Sequence, residues 1–334
     1  MRARSVANSV IFNIHGASRA VLAAALAAWT IDAPAQSYPA KPLRMIVGFA
    51  PGGGTDVTAR AIVQQLSDGL GQRVVIDNRP GANGVVGTEI TARSPADGYT
   101  ILMVNSGHTV NPGMYQKLPY DSLRDFAPIS LVVMLSNLLV VHPSLPVKSV
   151  PEFVRLARAR PGWINYGSGG HGASSHLGME LLQRATKTSL VHVPYKSGGL
   201  SATALLAGEV MVSFNTIPSA LAYVNAGRLR AIGVSSLQRS ISVPAIPTIA
   251  EMGYPGFSAS GLAGLLAPAG TPSDAIDRIH AEVVKLLKLP VIVERCVTLG
   301  LDPVGSTPAG FARFITADME KWTRLTKELN LVSP

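Results

Sequence analysis

The chain predicts an α/β fold built on mostly parallel sheets flanked by helices, and three observations carry that expectation. Strand-like and helix-like stretches alternate along most of its length, the pattern of βαβ units. A strand, a glycine loop and a helix recur in each half, a loose two-part symmetry. Near the end, Thr271-Pro272 and Thr307-Pro308 each open an apolar helical face, with proline at the first helical position.

The elements follow in order. The apolar run Leu43 to Phe49 reads as a buried strand. Pro51 and Gly52 to Gly54 turn the chain, and Thr55 or Asp56 caps a helix with Val57, Ile62 and Leu66 on its apolar face. Val74 to Asp77 is a short strand, Asn78 to Gly84 a turn cluster, and a helix runs to about Arg93. Asp97-Gly98 turns into a strand over Tyr99 to Val104, followed by Asn105-Ser-Gly-His108. Asp125 to Val141 holds two strand-like runs. Ser149 caps a helix carrying Phe153 and Leu156, which Pro161-Gly162 ends. A second series then begins, with a strand over Trp163 to Tyr166, a glycine loop and a helix carrying Leu177, Leu181 and Leu182. Strand Leu190 to Val193, helix Leu200 to Ala207 and strand Val210 to Phe214 come next. A helix closing at Gly227 precedes strand Leu229 to Val234. Pro244, Pro247 and Pro255 mark an irregular connector, and Gly261 to Ala267 is another strand. Two helices finish the chain. Ile276, Ile279, Val283 and Leu286 share the face of one, which stops at Pro290, and Phe311, Ile315, Trp322, Leu325 and Leu329 share the face of the other.

At 47% hydrophobic and 15% charged, the 334-residue chain can bury a sizeable core and is not disordered. Its net charge of +9 is scattered, with no Lys/Arg run, so no nucleic-acid patch is expected and the charge amounts to a weak attraction for anions. Arg2, Arg4 and Arg19 precede the apolar segment Val21 to Trp29, and Ala33-Pro34-Ala35 follows as a small-x-small site. That is the layout of an export signal cleaved near Ala35, which leaves 334 − 35 = 299 residues. The alternative is a membrane-tethered N-terminus, but the segment falls short of the roughly 20 residues a bilayer needs. Ile129 to Val141 is broken by Ser130, Ser136 and Asn137, and the lone Cys296 reads as a buried thiol.

The chemistry concentrates in the glycine loops. The turn at Phe49 to Asp56 opens a helix, whose first N–H groups lack partners and carry the positive end of the dipole. Glycines let a ligand approach that backbone, so the loop is a candidate anion seat, although the same turn would also serve as a plain connector. Gly48 and Gly53 have P-loop spacing, but Gly54 stands where the lysine belongs, and Val57 breaks the dinucleotide pattern. A carboxylate therefore fits better than a phosphate. In the second half, Gly167, Gly169 and Gly172 satisfy Gly-x-Gly-x-x-Gly literally, but Lys187 to Lys196 contains no acid for a ribose. Ser174 and Ser175 offer hydroxyls beside that helix start, or serve as ordinary N-cap residues. No Gly-x-Ser-x-Gly elbow or His-Glu-x-x-His motif occurs. His171 and His176 are five apart, off one helical face, and read as loop donors or packed side chains rather than metal ligands. His108 and His192 lack an acid partner in sequence, and Asp56 has no nucleophile beside it. Trp163, Tyr166, Tyr195 and Phe214 could wall a ligand or pack in the core. Neither catalytic residues nor a cofactor nor a metal is expected.

Several separate stretches resemble one known family. They are Phe49-Ala-Pro-Gly-Gly-Gly-Thr-Asp56, Asn78-Arg-Pro-Gly81, Asp97-Gly-Tyr99, Lys117-Leu-Pro-Tyr-Asp121 and Asp125-Phe-Ala-Pro128, then Ser168 to His176, His192-Val-Pro-Tyr-Lys196, Pro218-Ser-Ala220 and Gly264-Leu-Leu-Ala-Pro-Ala-Gly270. In order, from about Tyr38 to Asn330, they resemble the substrate-binding proteins of tripartite tricarboxylate transporters, the Bug family. The resemblance implies a two-lobed periplasmic binding protein-like fold of type II. The expected division is a signal peptide at residues 1–35, one lobe from 36–140 plus 258–334, and a second lobe from 141–257. It implies that the two glycine loops face each other and hold a small carboxylate, a di- or tricarboxylate or an aromatic acid, through amides, hydroxyls and water. Carried over from the loops are Phe49, Gly53, Gly54, Thr55 and Asp56, then Gly170, Gly172, Ala173, Ser174 and Ser175; by position Ser106, Gly107, Tyr195, Phe214 and Asn215 join them. Departures are Ala50 where many relatives have a second proline, His171 at a variable position, and Phe214-Asn-Thr216 in place of Phe-Asp-Asn. The expected protein is a periplasmic monomer that passes its ligand to the transporter's membrane subunits. The alternatives are a ligand-presenting partner of a membrane histidine kinase and, further off, an exported enzyme.

Overall fold

A computed structural model describes residues 38–331. The export signal expected at residues 1–35 lies outside them. Among the described residues no helix is long and apolar enough to cross a membrane.

The described residues start with β1 (Leu43–Val47), α1 (Gly54–Leu70), β2 (Val74–Asn78), a short 3-10 turn (Ala82–Gly84), α2 (Val85–Ala92), β3 (Thr100–Asn105), α3 (Gly107–Met114) and β4 (Phe126–Leu135). It crosses at Ser136 into β5 (Asn137–Val141), α4 (Val150–Ala159), β6 (Asn165–Ser168), α5 (Ser174–Thr186), β7 (Val191–Pro194), α6 (Gly198–Leu206), β8 (Val212–Thr216), α7 (Ile217–Asn225) and β9 (Arg230–Val234). It returns through β10 (Gly261–Pro268), α8 (Ser273–Leu286), α9 (Pro290–Leu299), β11 (Asp302–Pro303) and α10 (Pro308–Glu328). One sheet has the order β11-β4-β10-β3-β1-β2 and the other β7-β6-β8-β5-β9.

Each sheet is covered on both faces. On the first, α1, α8 and α9 bury Ile62, Leu66, Ile279 and Ile292 against β1 and β3, while α10 brings Phe311 and Ile315 to the opposite face. On the second, α4 and α5 bury Phe153 and Leu177 on one face, and α6 and α7 bury Leu205 and Ala220 on the other. α10 does not stay with the first sheet, because Trp322 and Leu325 at its far end join the second core.

The α/β expectation holds, and its mostly parallel detail needs correcting: both sheets are mixed. β1 pairs in parallel with β2 and β3, and β6 with β7 and β8, as βαβ connections require. β10 is antiparallel to β3 and β4, and β5 to β8 and β9, because these strands arrive from the other half of the chain. Two helices were unforeseen. Pro290 does not merely end α8 but opens α9 at its first turn. α3 follows β3 directly, with Asn105 Oδ1 accepting the Gly107 N–H at 2.9 Å. Cys296 is buried in the first core, as its neighbours suggest.

His108 on α3 is almost fully buried between Tyr120 and Phe126, its Nε2 2.8 Å from the Ser122 carbonyl. Burial pushes its pKa down from 6.5 to about 4, outweighing the hydrogen bond to Ser122. The unfolded chain thus binds this proton more readily than the folded one. The contribution is complete above pH 6.5, shrinks as pH falls toward 4, and amounts to roughly 3 kcal/mol. Urea unfolding of wild type and His108→Gln across this range should show the variant's stability less steep in pH by up to one proton, about 1.4 kcal/mol per pH unit. Parallel slopes would mean that the imidazole is hydrated in the folded state.

Candidate functional site

Five helix N-termini converge on one cleft between the sheets, a cavity of about 440 Å³. This suits a small molecule. Its wall includes Gly54 and Thr55 from α1, Gly107 from α3, Ser174 and Ser175 from α5, Gly198 and Gly199 from α6, and Thr216 and Ser219 at the start of α7. In α1 the first intrahelical bond runs from Val57 N–H to Gly53, so the N–H groups of Gly54, Thr55 and Asp56 have no helical acceptor. In α5 it runs from Leu177 to Ala173, which leaves those of Ser174 and Ser175 similarly placed. Among the described residues, Lys196 is the only charged side chain in the wall and no carboxylate lines it. Aligned helix dipoles, amide donors and one cation make this a positive, donor-rich cleft.

Local sequence explains the loop geometry. Gly52 takes φ +84°, and Gly53 in extended conformation is the true N-cap of α1, so neither Thr55 nor Asp56 caps it by side chain as expected. Asp56 instead braces the loop from behind. Its Oδ2 accepts from the Gly52 amide at 2.9 Å and Arg60 Nε at 2.8 Å, and its Oδ1 accepts from Asn78 Nδ2 at 3.0 Å. Burial works against its charged form, but Arg60, the Gly52 amide and Asn78 prevail and hold the carboxyl below its usual range. In the second loop, Ser175 Oγ accepts from the Gly169 amide at 2.9 Å and His176 Nδ1 from the Gly172 amide at 3.2 Å. Ala173, not a serine, is the N-cap of α5.

Of the residues singled out in sequence, the fold brings Phe49, Gly53, Gly54, Thr55, Ser106, Gly107, Gly172, Ala173, Ser174, Ser175 and Asn215 to this one wall. Four lie elsewhere. Asp56 is 1% exposed and spent on the bracing just described. Gly170, at φ +119°, packs against the Tyr195 carbonyl, which would lie 3.1 Å from a Cβ placed there. The Tyr195 hydroxyl reaches out to Glu209 at 3.3 Å. Phe214 packs beneath α5 against Gly178, because neighbours on a strand face opposite ways and Asn215 takes the cleft side.

Asn83, Asn105, Lys196 and the start of α6 also line the cleft, beyond the residues singled out in sequence. A signal for the last was present. Tyr195-Lys-Ser-Gly-Gly199 repeats the strand, glycine turn and helix of the first loop, and Ser197 Oγ caps α6 by accepting the Leu200 amide at 3.2 Å.

Comparison with known proteins agrees with this architecture. The tripartite tricarboxylate transporter family receptor pattern matches residues 58–331. The chain is 38% identical over 313 residues to the protein BugT of Bordetella pertussis, covering 92% of this chain and 96% of that one. Rpa4515 of R. palustris, solved with adipate, superposes with a TM-score of 0.81 at 32% identity, over 87% of this chain and 97% of its own. MatC of Rhodopseudomonas palustris with bound malate does so with a TM-score of 0.77 at 28% identity, over 86% and 99%. The chain therefore belongs to the tripartite tricarboxylate transporter receptors, the Bug or TctC family of two-lobed periplasmic solute-binding proteins, which are not enzymes.

Proposed function

We propose that this protein is exported to the periplasm, captures a small carboxylate in the interlobe cleft and passes it to the membrane subunits of a tripartite tricarboxylate transporter. The observation that carries the ligand class is the wall itself: among the described residues it has five helix starts, a set of hydroxyls, one lysine and no acidic side chain. A carboxylate taking three or four charge-assisted bonds gains roughly 1.5–3 kcal/mol from each before binding costs. Micromolar affinity needs about 8 kcal/mol, which this donor set can supply. The adipate and malate of the two solved relatives support the same class, and the family supports the transporter. The proposed seat for one carboxylate is the pair of glycine loops at Gly53 to Thr55 and Gly172 to Ser175.

Thermal-shift screening of the mature protein against mono- and dicarboxylates and inorganic phosphate, with calorimetry on the hits, tests this. Stabilisation by phosphate alone would overturn it. N-terminal sequencing of the exported protein tests cleavage near Ala35.

Lys196 extends the prediction. Exposed at the cleft wall, it is placed to meet a second carboxylate. Lys196→Gln should weaken a dicarboxylate about fivefold, since an exposed ion pair is worth at most about 1 kcal/mol, and leave a monocarboxylate of similar length nearly unchanged. Equal losses for both ligands would place the lysine at the first carboxylate instead.

A further inference from the structure

We propose that His171, His176 and His192 together bind one divalent transition-metal ion, of the kind that favours imidazole, behind the second glycine loop. The separation of His171 and His176 in sequence argued against a shared ion, but β7 brings in a third imidazole from sixteen residues beyond His176. One ring nitrogen from each of the three lies within 4.8 Å of the other two. His176 is 3% exposed, His192 half-buried, and His171 exposed on the loop between Gly170 and Gly172.

The surroundings of His192 match what metal-bound histidines require. Such rings hold their second N–H on an oxygen, which fixes the tautomer. His192 Nε2 is 2.6 Å from Ser168 Oγ. Glu180 Oε1 lies 3.9 Å from His176 Nε2, too far for a hydrogen bond until the ring moves. With a proton on each Nε2, both Nδ1 atoms keep a lone pair. The Gly172 amide now uses that of His176 at 3.2 Å, and the ion takes its place.

The rings must move to do it. His176 and His192 stack 4.2 Å apart at 15°, and parallel rings cannot aim at one point. His171 stands edge-on to both, at 77° and 83°. Nitrogens around a tetrahedral zinc lie roughly 3.3 Å apart, so the cluster closes by about 1.5 Å as His192 turns out of the stack and His171 swings in. A set of imidazoles selects zinc, cobalt, nickel or copper and rejects magnesium.

Calorimetric titration of untagged protein with Zn²⁺, and visible absorption with Co²⁺, provide the test. Wild type should take one ion, show the intensified bands of cobalt with few ligands, and melt higher with Zn²⁺ but not with Mg²⁺. His171→Ala, on an exposed side chain, should melt like wild type without metal and bind Zn²⁺ at least about tenfold more weakly. His192→Ala should lose the cobalt bands as well. No Zn²⁺ binding by wild type, or equal binding by His171→Ala, would overturn the proposal.

Discussion

Replacing Trp322 with alanine is expected to remove about 3–5 kcal/mol of stability, the usual range for truncating a buried tryptophan. Its side chain is fully buried and belongs to the core of the second sheet. Seven residues earlier on the same helix, Ile315 sits in the core of the first sheet with Phe311. α10 is therefore fastened at both ends, and Trp322 is the larger fastening on the second sheet. Flanking contacts are polar: Thr109 Oγ1 donates to Asp318 at 2.7 Å, and Lys321 Nζ to the Ser258 carbonyl at 2.9 Å. Each is worth only about 1 kcal/mol or somewhat more where charge assists, so neither offsets the cavity. Urea unfolding would measure the loss, and Trp322→Phe, which keeps an aromatic ring in place, should recover most of it. A loss under about 1 kcal/mol for alanine would mean that the far end of α10 is only loosely docked.

What the sequence made legible follows from how local each signal is. Most residues of the two glycine loops that line the cleft were readable because a strand, a glycine turn and a helix start are consecutive in the chain. The ordered stretches that resemble the family added the facing of the two loops, which no local pattern contains. Phe214 and Asn215 are adjacent on one strand, whose geometry lets only one of them face the cleft, and that one is Asn215. Pro290 looked like a stop because proline ends one helix and begins another with the same residue, and only packing, here Ile292 and Cys296 in the first core, separates the two cases. Mixed sheet pairing was hidden for a similar reason. β4 and β5 abut in sequence but enter different sheets, and only their hydrogen-bond partners reveal it. The histidine cluster was the least legible, since its third member lies on another strand.

Gly54→Val is expected to weaken carboxylate binding about 100-fold while leaving the fold intact. Gly54 opens α1 at the cleft wall, and a Cβ placed there meets only Leu135 side-chain carbons at 3.9 and 4.0 Å, ordinary contact distances. Its φ is not positive, so a β-branched residue is not strained there, and valine forms helix no worse than glycine does. The unfolding midpoint should therefore stay close to that of wild type. The added methyls instead occupy the approach to the free amides of the first turn. Denying a carboxylate two charge-assisted bonds at roughly 1.5 kcal/mol each gives the hundredfold loss. Gly54→Ala, with a single methyl and room for it, should fall between. The comparison with Gly264→Ala separates binding from folding. A Cβ at Gly264 would run into the Phe311 ring and come within 2.9 Å of the Ser130 carbonyl inside the first core, so that variant should lose stability first. If Gly54→Val binds as tightly as wild type while remaining folded, the first glycine loop is a connector and the carboxylate must take its donors from α5 and α6.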